Sequence, residues 1–184
     1  MVNNYIYFKS KLENIKLLVM DVDGTLTDGG VFYSAEGLEL KKFYVHDGMG
    51  IRLLHQNNIS TAIISSDTSE IPLARARKLN ITYQIIGVER KIDSLIEIMN
   101  KMNITKDEIA FIGDDVNDLE IIKFAGFTAV PNDAHFSLKQ YVDCVLDYNG
   151  GHGAVRQICD MILLAKNLKI EVKYNNNIIN FNNW

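Results

Sequence analysis

Short apolar runs alternate with helical patterns along most of this chain. Each run has the length of one buried strand, and the segments between the runs carry apolar residues at helical spacing. This alternation predicts an α/β protein with a doubly wound, Rossmann-like parallel sheet. The predicted strands lie at 17–20, 61–64, 83–86, 109–112, 128–130 and 144–146.

Length and charge limit the classes of partner. The 184 residues, 47% of them apolar, are enough for one domain, predicted at 1–168 and followed by an Asn-rich tail at 169–184. A net charge of -4 argues against nucleic acid or an anionic membrane as the main partner. No apolar run is long enough to span a bilayer and the first residues do not resemble a signal peptide, so we expect a cytoplasmic protein.

Two carboxylates follow the first predicted strand, in the sequence Asp21-Val22-Asp23-Gly24. At the carboxyl end of a parallel strand, such side chains open into a crevice. There they can bind a hard cation and leave one oxygen free to attack an electrophile. An Asp- and Gly-rich turn without chemistry is the alternative.

Two further segments carry groups that could hold a phosphoryl oxygen. Ser65 and Ser66 end the second predicted strand, where their hydroxyls can donate hydrogen bonds; Ser66 or Ser69 can equally cap the next helix. Lys91 begins a helical pattern, where a lysine is poorly placed for the helix dipole. A partner anion would explain that position, and a solvated lysine is the alternative.

A cluster of acids follows the fourth predicted strand. Asp114, Asp115 and Asp118 fall within about one helical turn, where their charges repel one another. The start of a helix can balance one carboxylate, but three acids indicate a divalent cation.

With these four segments in order, the chain resembles the phosphatase branch of the haloacid dehalogenase superfamily. The resemblance implies that Asp21 is the nucleophile and that Asp23 is the acid and base. It also implies that Mg²⁺ is bound by the Asp21 carboxylate, the Asp23 carbonyl and Asp114. Ser65 and Lys91 would hold the phosphoryl oxygens, and Asp115 and Asp118 would support the site.

The segment between the first strand and the next helix reads as a β-hairpin insertion at about 29–46. A hairpin of this size cannot form a cap domain, so the site has no lid of its own. Its aromatic residues form either a contact surface for another subunit or a face packed on their own domain. They are Phe32, Tyr33, Phe43 and Tyr44.

The hairpin and a late glycine-rich motif narrow the resemblance. The segments Lys41-Lys42-Phe43, Asp47-Gly48-Met49-Gly50 and Gly150-Gly151-His152-Gly153 are similar to those of the capless 3-deoxy-D-manno-octulosonate 8-phosphate phosphatases. That similarity implies a homotetramer and places Asp47 and Gly48 near substrate; for Asp47, a helix cap is the local alternative.

Two departures leave the substrate open, one of which is His46, at a place where the octulosonate enzymes often have Arg. The octulosonate enzymes typically read Thr-Gly-Arg after the second strand, whereas this chain reads Ser65-Ser66-Asp67. A nine-carbon relative carries an acid there, with Arg and Lys downstream, as Asp67, Arg75 and Lys78 do here. Arg75 and Lys78 can instead form one solvated helix face.

We therefore expect a Mg²⁺-dependent phosphatase that acts on a 2-keto-3-deoxy sugar acid phosphate. The first choice is 3-deoxy-D-manno-octulosonate 8-phosphate, of lipopolysaccharide synthesis, and the alternative is a nine-carbon 9-phosphate of a sialic-acid-like pathway. A phosphotransferase would usually need a cap to exclude water. A non-catalytic module would be expected to lack Asp21 or Asp23, and both are present.

Overall fold

The computed structural model describes residues 6–37 and 39–172. Its central feature is a parallel six-stranded sheet in the order β5-β4-β1-β6-β7-β8, which confirms the predicted fold class. The six strands are β1 (Leu17–Met20), β4 (Ser60–Ile64), β5 (Tyr83–Ile85), β6 (Ile109–Ile112), β7 (Phe127–Val130) and β8 (Cys144–Val145). β1 and β6 have the predicted bounds, and each of the others differs by one residue at one end.

Helices cover both faces of the sheet. They are α1 (Lys9–Leu12), α2 (Val45–His55), α3 (Ile71–Lys78), α4 (Lys91–Met102), α5 (Leu119–Ile122) and α6 (Ala154–Ala165). Along β1, Leu18 and Met20 pack with α2 and α6, while Leu17 and Val19 pack with α4 and α5. Because successive side chains of a strand point to opposite faces, an entirely apolar strand is what a sheet buried on both sides requires.

The strand order reverses direction at β1. The chain passes from β1 to β4 and β5 on one side, and then to β6, β7 and β8 on the other. Such a reversal opens a crevice at the carboxyl ends of the strands. The acidic segments after β1 and β6 therefore meet at this edge.

The predicted hairpin is a separate two-stranded antiparallel sheet, formed by β2 (Thr27–Tyr33) and β3 (Glu39–Phe43). The described residues between β1 and α2 form no other strand or helix.

The end of the predicted domain and the start of the predicted tail pack against the core. Leu168 is the last residue of the predicted domain and Val172 belongs to the tail, and the rest of the tail, 173–184, lies outside the described residues.

Within 6–37 and 39–172, no helix has the length and apolar character needed to cross a membrane.

Candidate active site

A cavity of about 430 Å³ opens at the carboxyl edge of β1, β4 and β6. Most of the residues that the sequence singled out lie around it, which the meeting of these strand ends explains. Its lining consists of Asp21, Asp23, Gly24, Gly29, Ser65, Ser66, Asp67, Asp114, Asp115, Val116 and Asn117.

The loop after β1 is shaped by Thr27 and by Gly24. The Thr27 hydroxyl accepts hydrogen bonds from the backbone N–H groups of Gly24 (3.3 Å) and Gly29 (3.2 Å). Gly24 has φ +76°, and a Cβ there would lie 2.0 Å from a carboxylate oxygen of Asp114. Only glycine fits both the backbone angle and the space, so the Gly of this motif lets the two acidic loops approach each other.

The late glycine motif supports this loop from outside the cavity. A Cβ on Gly150 would lie 1.8 Å from the carbonyl oxygen of Gly24, and one on Gly151 would lie 2.4 Å from the nitrogen of Asp28. The backbone N–H of Gly151 also donates to the carbonyl of Thr25 at 3.0 Å. The two glycines therefore permit a close backbone contact that holds the loop of Asp23 in place.

Lys91 lies beneath the cavity at the first position of α4, with 2% of its surface exposed. Its Nζ donates to Asp21 Oδ1 at 2.6 Å and to Asp118 Oδ1 at 2.7 Å. Burial opposes its charge, but the two carboxylates prevail and raise the pKa of Lys91 above its ordinary value. The alternative of a solvated lysine is therefore wrong, and the partner anions are the two aspartates.

Three carboxylates crowd together above Lys91. Those of Asp21, Asp114 and Asp118 each have an oxygen within 4.8 Å of the others. Burial, followed by the charges of Asp21 and Asp118, raises the pKa of Asp114 to about 8. Burial, followed by the charge of Asp21, raises the pKa of Asp118 to about 6 despite Lys91. One lysine does not balance three acids, so the cluster is short of positive charge.

The donor set fits a magnesium ion. Hard oxygen ligands from one or two carboxylates are what Mg²⁺ takes from proteins, and Asp21 and Asp114 both line the cavity. Asp118 is completely buried, and its two oxygens already bond Lys91 and the backbone N–H of Asp114 (3.0 Å). Asp118 therefore holds Lys91 and the backbone of Asp114 in place and does not line the cavity. Asp115 caps the 3₁₀ turn Val116–Asp118 by accepting from the N–H of Val116 at 2.7 Å.

The two serines after β4 take different positions. Ser65 is 2% exposed, and its Oγ accepts from the N–H of Asp67 at 3.2 Å, which leaves its hydroxyl able to donate. Ser66 lines the cavity, whereas Ser69 accepts from the N–H of Ile71 at the start of α3. Neither Ser66 nor Ser69 is the N-cap of α3: that residue is Glu70, which makes no side-chain cap hydrogen bond, and Ser69 lies one residue before it.

Lys41 is the residue that sequence reasoning missed. From β3 its Nζ reaches Asp23 Oδ2 at 2.8 Å and Asp67 Oδ2 at 2.5 Å, and its side chain is 3% exposed. Burial opposes its charge, but the hydrogen bonds of Asp23 and Asp67 raise the pKa of Lys41 above its ordinary value. Strand alternation gives a signal: Lys41 shares a face with Phe43, which packs on the core, while Lys42 points outward.

Four predicted substrate residues do not line the cavity. Asp47 is 1% exposed, and its Oδ1 accepts from the N–H of Arg156, in the first turn of α6, at 2.8 Å. The helix-cap alternative, in which Asp47 begins its own helix, is therefore wrong: α2 begins at Val45 with Tyr44 as its N-cap, and Asp47 bonds a backbone N–H of α6 instead. A Cβ on Gly48 would lie 3.0 Å from Nη2 of Arg75, so this glycine allows α2 to pack on α3.

Arg75 and Lys78 lie on α3, beside the start of α2, and neither lines the cavity. Arg75 donates to the carbonyl of Tyr44 at 3.4 Å and lies 5.6 Å from the centre of the Phe43 ring. Lys78 is exposed to solvent. The solvated helix face considered from the sequence thus describes Lys78 but not Arg75.

We expect the substitution Asp47→Asn to stabilise the protein in a pH-dependent way. None of the described residues gives its buried Oδ2 a hydrogen bond, and burial raises the pKa of Asp47 from 3.8 to about 6. The folded state therefore holds this proton more tightly than the unfolded state, so stability falls as the pH rises from about 4 to about 6. Asparagine keeps the acceptor for Arg156 and removes the buried charge.

Thermal melts should show the Asp47→Asn variant to be more stable by up to about 3 kcal/mol near pH 8, with the gain shrinking toward pH 4. The exposed acid Asp93, replaced by Asn, is the control. A difference between variant and wild type that does not change with pH would contradict the buried-charge explanation.

Comparisons with known proteins agree with this geometry. Residues 74–158 match the family model of haloacid dehalogenase-like hydrolases. The 3-deoxy-D-manno-octulosonate 8-phosphate phosphatase of Salmonella typhi is 37% identical over 164 residues, or 89% of this chain and 87% of that protein. The corresponding enzyme of Haemophilus influenzae is 39% identical over 158 residues, covering 86% and 88%. This chain belongs to the haloacid dehalogenase-like phosphatases.

Solved structures of this phosphatase family superpose closely on the chain. The Moraxella catarrhalis octulosonate phosphatase, in complex with a magnesium ion, a phosphate ion and a KDO molecule, has a TM-score of 0.85 and 38% identity, covering 88% of this chain and 92% of that one. A cobalt-bound form from Haemophilus influenzae has a TM-score of 0.82 and 39% identity, covering 85% and 92%. The resemblance read from the sequence is confirmed, as is the assignment to phosphatases.

Proposed function

We propose that this phosphatase hydrolyses 3-deoxy-D-manno-octulosonate 8-phosphate with the help of Mg²⁺. The observation that carries the proposal is the placement of Asp21, whose carboxylate lines the cavity beside Asp114 and is held by the buried Lys91. The substrate class is supported by relatives with 37% to 39% identity over most of both chains.

In the first half of the reaction, an Asp21 oxygen attacks the phosphorus of the ester. The new bond joins that oxygen to phosphorus, and the bond from phosphorus to the sugar oxygen breaks. The proton of Asp23 passes to the departing sugar oxygen, so the sugar leaves as a neutral alcohol. The hydrogen bond from Lys91 Nζ to Asp21 Oδ1 holds the nucleophile in one orientation during this step.

In the second half, water attacks the phosphorus of the aspartyl phosphate and Asp23 takes the proton of that water. The bond from phosphorus to Asp21 breaks, which releases inorganic phosphate and returns Asp21 to its carboxylate and Asp23 to its protonated form. Ser65, just after β4, would donate to a phosphoryl oxygen, and its position in the cavity lining supports this role. A bound Mg²⁺, held by Asp21, Asp114 and the Asp23 carbonyl, would neutralise phosphoryl charge.

The alternative substrate is a nine-carbon 9-phosphate. The residue that raises this alternative is Asp67, which lines the cavity where the octulosonate enzymes typically carry arginine. In this structure Asp67 does not extend a free charge toward substrate, because its Oδ2 is bonded to Lys41. Its presence therefore does not by itself favour the longer sugar over the shorter one.

Phosphate release from a panel of esters tests the proposed substrate. The panel contains 3-deoxy-D-manno-octulosonate 8-phosphate, N-acetylneuraminate 9-phosphate and its deaminated analogue, each with Mg²⁺ and with a chelator. We expect the highest kcat/KM for the octulosonate ester and loss of turnover with the chelator. A higher kcat/KM for a nine-carbon ester would replace the proposed substrate, and turnover that survives the chelator would refute the metal requirement.

We further propose that the protein assembles as a homotetramer through the β2–β3 hairpin. Phe32 and Leu40 are cross-strand partners and are 69% and 57% exposed in the single chain, and Tyr33 beside them is 70% exposed. Of the aromatic residues noted in the sequence, Phe43 packs on its own core while Phe32 and Tyr33 are exposed to solvent. An apolar patch of this kind supports a subunit contact.

The double substitution Phe32→Ser with Leu40→Ser should convert the tetramer into smaller species. The reason is the loss of apolar area that would be buried between subunits. Sedimentation of wild type and variant measures the change, and Tyr141→Ser, at an aromatic residue that is 47% exposed elsewhere, is the control. An unchanged tetramer would place the contact on another surface.

The cytoplasmic location stays a prediction of the sequence.

A further inference from the structure

Lys41 bonds the carboxylates of both Asp23 and Asp67. In the proposed mechanism Asp23 transfers protons, whereas the sequence suggests Asp67 as a contact for the sugar. The Nζ of Lys41 bonds Oδ2 of Asp23 and Oδ2 of Asp67, and it lies 3.3 Å from an oxygen of Glu39 on its own strand. The Lys41 side chain is 3% exposed, so these acids, and not water, surround its charge. A lysine so enclosed is held in one place by its partners.

Both ends of this bridge are fixed. At one end, Asp23 Oδ1 accepts from the Thr27 hydroxyl at 3.4 Å while Oδ2 accepts from Lys41 at 2.8 Å. At the other end, Asp67 Oδ1 accepts from the N–H of Ser69 at 3.0 Å, and the N–H of Asp67 donates to Ser65. Each oxygen of the Asp23 carboxylate thus has a donor, which sets the plane of the carboxylate.

We propose that Lys41 is a positioning residue for Asp23 and that Asp67 acts in turnover by anchoring Lys41. This inference rests on the proposed function, in which Asp23 moves protons, and it deepens that function. In this proposal Asp67 holds Lys41, whereas the sequence suggests that Asp67 contacts the sugar. An arginine at position 67 would put a second cation beside Lys41, so this bridge is specific to an acid there.

The effect of losing Lys41 on kcat/KM should depend on the leaving group of the ester. When the phosphorus–oxygen bond of an alkyl ester breaks, the departing oxygen needs the proton of Asp23, and a misplaced carboxyl group delivers it poorly. A p-nitrophenolate ion leaves without a proton. Loss of Lys41 should therefore slow alkyl esters and spare the aryl ester.

Three esters and the variant Lys41→Met test the proposal. The esters are 3-deoxy-D-manno-octulosonate 8-phosphate, glycerol 2-phosphate, which has a poor leaving group and no sugar-acid carboxylate, and p-nitrophenyl phosphate. The quantity compared is kcat/KM, because it covers the steps up to the aspartyl phosphate and omits the later attack of water. We expect a fall of roughly 10- to 100-fold for both alkyl esters and less than about 3-fold for the aryl ester.

Three other patterns would overturn the proposal. A fall confined to the sugar-acid ester would mean that Lys41 contacts the sugar, and a fall of equal size on all three esters would mean a general structural role. No fall on any ester would equally refute it. The inhibition constant of the product sugar acid should be unchanged in Lys41→Met, since the proposal gives Lys41 no contact with the sugar.

Lys42→Met is the matched control. Lys42 is the next residue on the same strand, has 56% of its side chain exposed and pairs with Asp28. It should leave kcat/KM unchanged for all three esters, and sedimentation and thermal melts should show the same assembly and fold in both variants.

A double-mutant cycle tests the part assigned to Asp67. Asp67→Asn should lower kcat/KM for the alkyl esters in the same pattern as Lys41→Met but by a smaller factor. The double variant should be no slower than Lys41→Met alone, because both substitutions act through one contact. Additive effects would show that Asp67 acts independently of Lys41, and they would overturn the proposal that Asp67 acts by anchoring Lys41.

Failure of the proposed function gives a different result. If wild type hydrolyses glycerol 2-phosphate and p-nitrophenyl phosphate but not the octulosonate ester, the substrate assignment fails while the Lys41 comparison still holds on the first two esters. If Asp21→Asn retains turnover of p-nitrophenyl phosphate, the nucleophile assignment fails. Neither result has the same pattern as a failure of the Lys41 proposal.

Discussion

Asp21→Asn is expected to abolish turnover, by at least about 10⁴-fold in kcat, while the protein stays folded. Asparagine has the same shape and still offers an oxygen to Lys91, but an amide oxygen does not form a phosphate ester that water can open. The fold should be as stable as that of wild type or more so, because the substitution removes one of three crowded acids. Turnover is measured as phosphate release, and folding by thermal melts.

The control is Asp93→Asn, which removes an exposed acid that pairs with Arg90 on the surface. It should leave kcat unchanged, since exposed pairs of this kind contribute little. Substantial turnover in Asp21→Asn, after mass spectrometry has excluded deamidation back to Asp, would refute the nucleophile assignment.

Lys91→Met is expected to cost both activity and stability. Lys91 is 2% exposed and bonds Asp21 and Asp118, so methionine would leave two buried carboxylates without their cation. Breaking a buried pair in this way costs about 3 to 5 kcal/mol. We expect that loss in the free energy of unfolding, measured with urea, and a fall in kcat of at least about 10³-fold.

The double variant Lys91→Met with Asp118→Asn separates the two effects. Removing the charge of Asp118 should restore part of the lost stability, because fewer buried charges remain unpaired. It should not restore turnover, because the cation beside Asp21 is still missing. A double variant with turnover near that of wild type would show that Lys91 serves the fold alone.

The acids of the site could be predicted from the sequence because their position depends on the sheet. Apolar runs locate β1 and β6, and parallel strands end at the same edge. Asp21 and Asp114 follow those strands directly, so their proximity requires no knowledge of loops. Glycine at position 24 was part of the motif, but its contact with Asp114 appears only in the structure.

The position of Lys41 could not be predicted in the same way. It lies on a hairpin outside the main sheet, and the pairing of β2 with β3 shifts register between Thr27 and Val31. How such a hairpin turns toward the cavity depends on packing between distant segments, including the contact of Gly150 with Gly24. Strand alternation puts Lys41 on the same face of β3 as Phe43, but neither alternation nor the motif fixes the direction in which the whole hairpin turns.

Asp47 and Arg75 have contacts that the sequence does not indicate. The resemblance suggests a position near substrate for both, and in the structure they also make contacts between α2, α6 and α3. Gly50 allows this packing, since a Cβ there would lie 3.0 Å from Cβ of Cys159. Contacts between helices distant in sequence leave no periodic signal in either segment.

Chemical trapping of the aspartyl phosphate tests the central claim most directly. Enzyme turning over 3-deoxy-D-manno-octulosonate 8-phosphate with Mg²⁺ is quenched and reduced with borohydride, which converts an aspartyl phosphate to homoserine, and the peptides are sequenced by mass spectrometry. We predict homoserine at position 21, dependent on substrate. Homoserine at another aspartate, or at none while phosphate is being released, would contradict the assignment of Asp21 as the nucleophile.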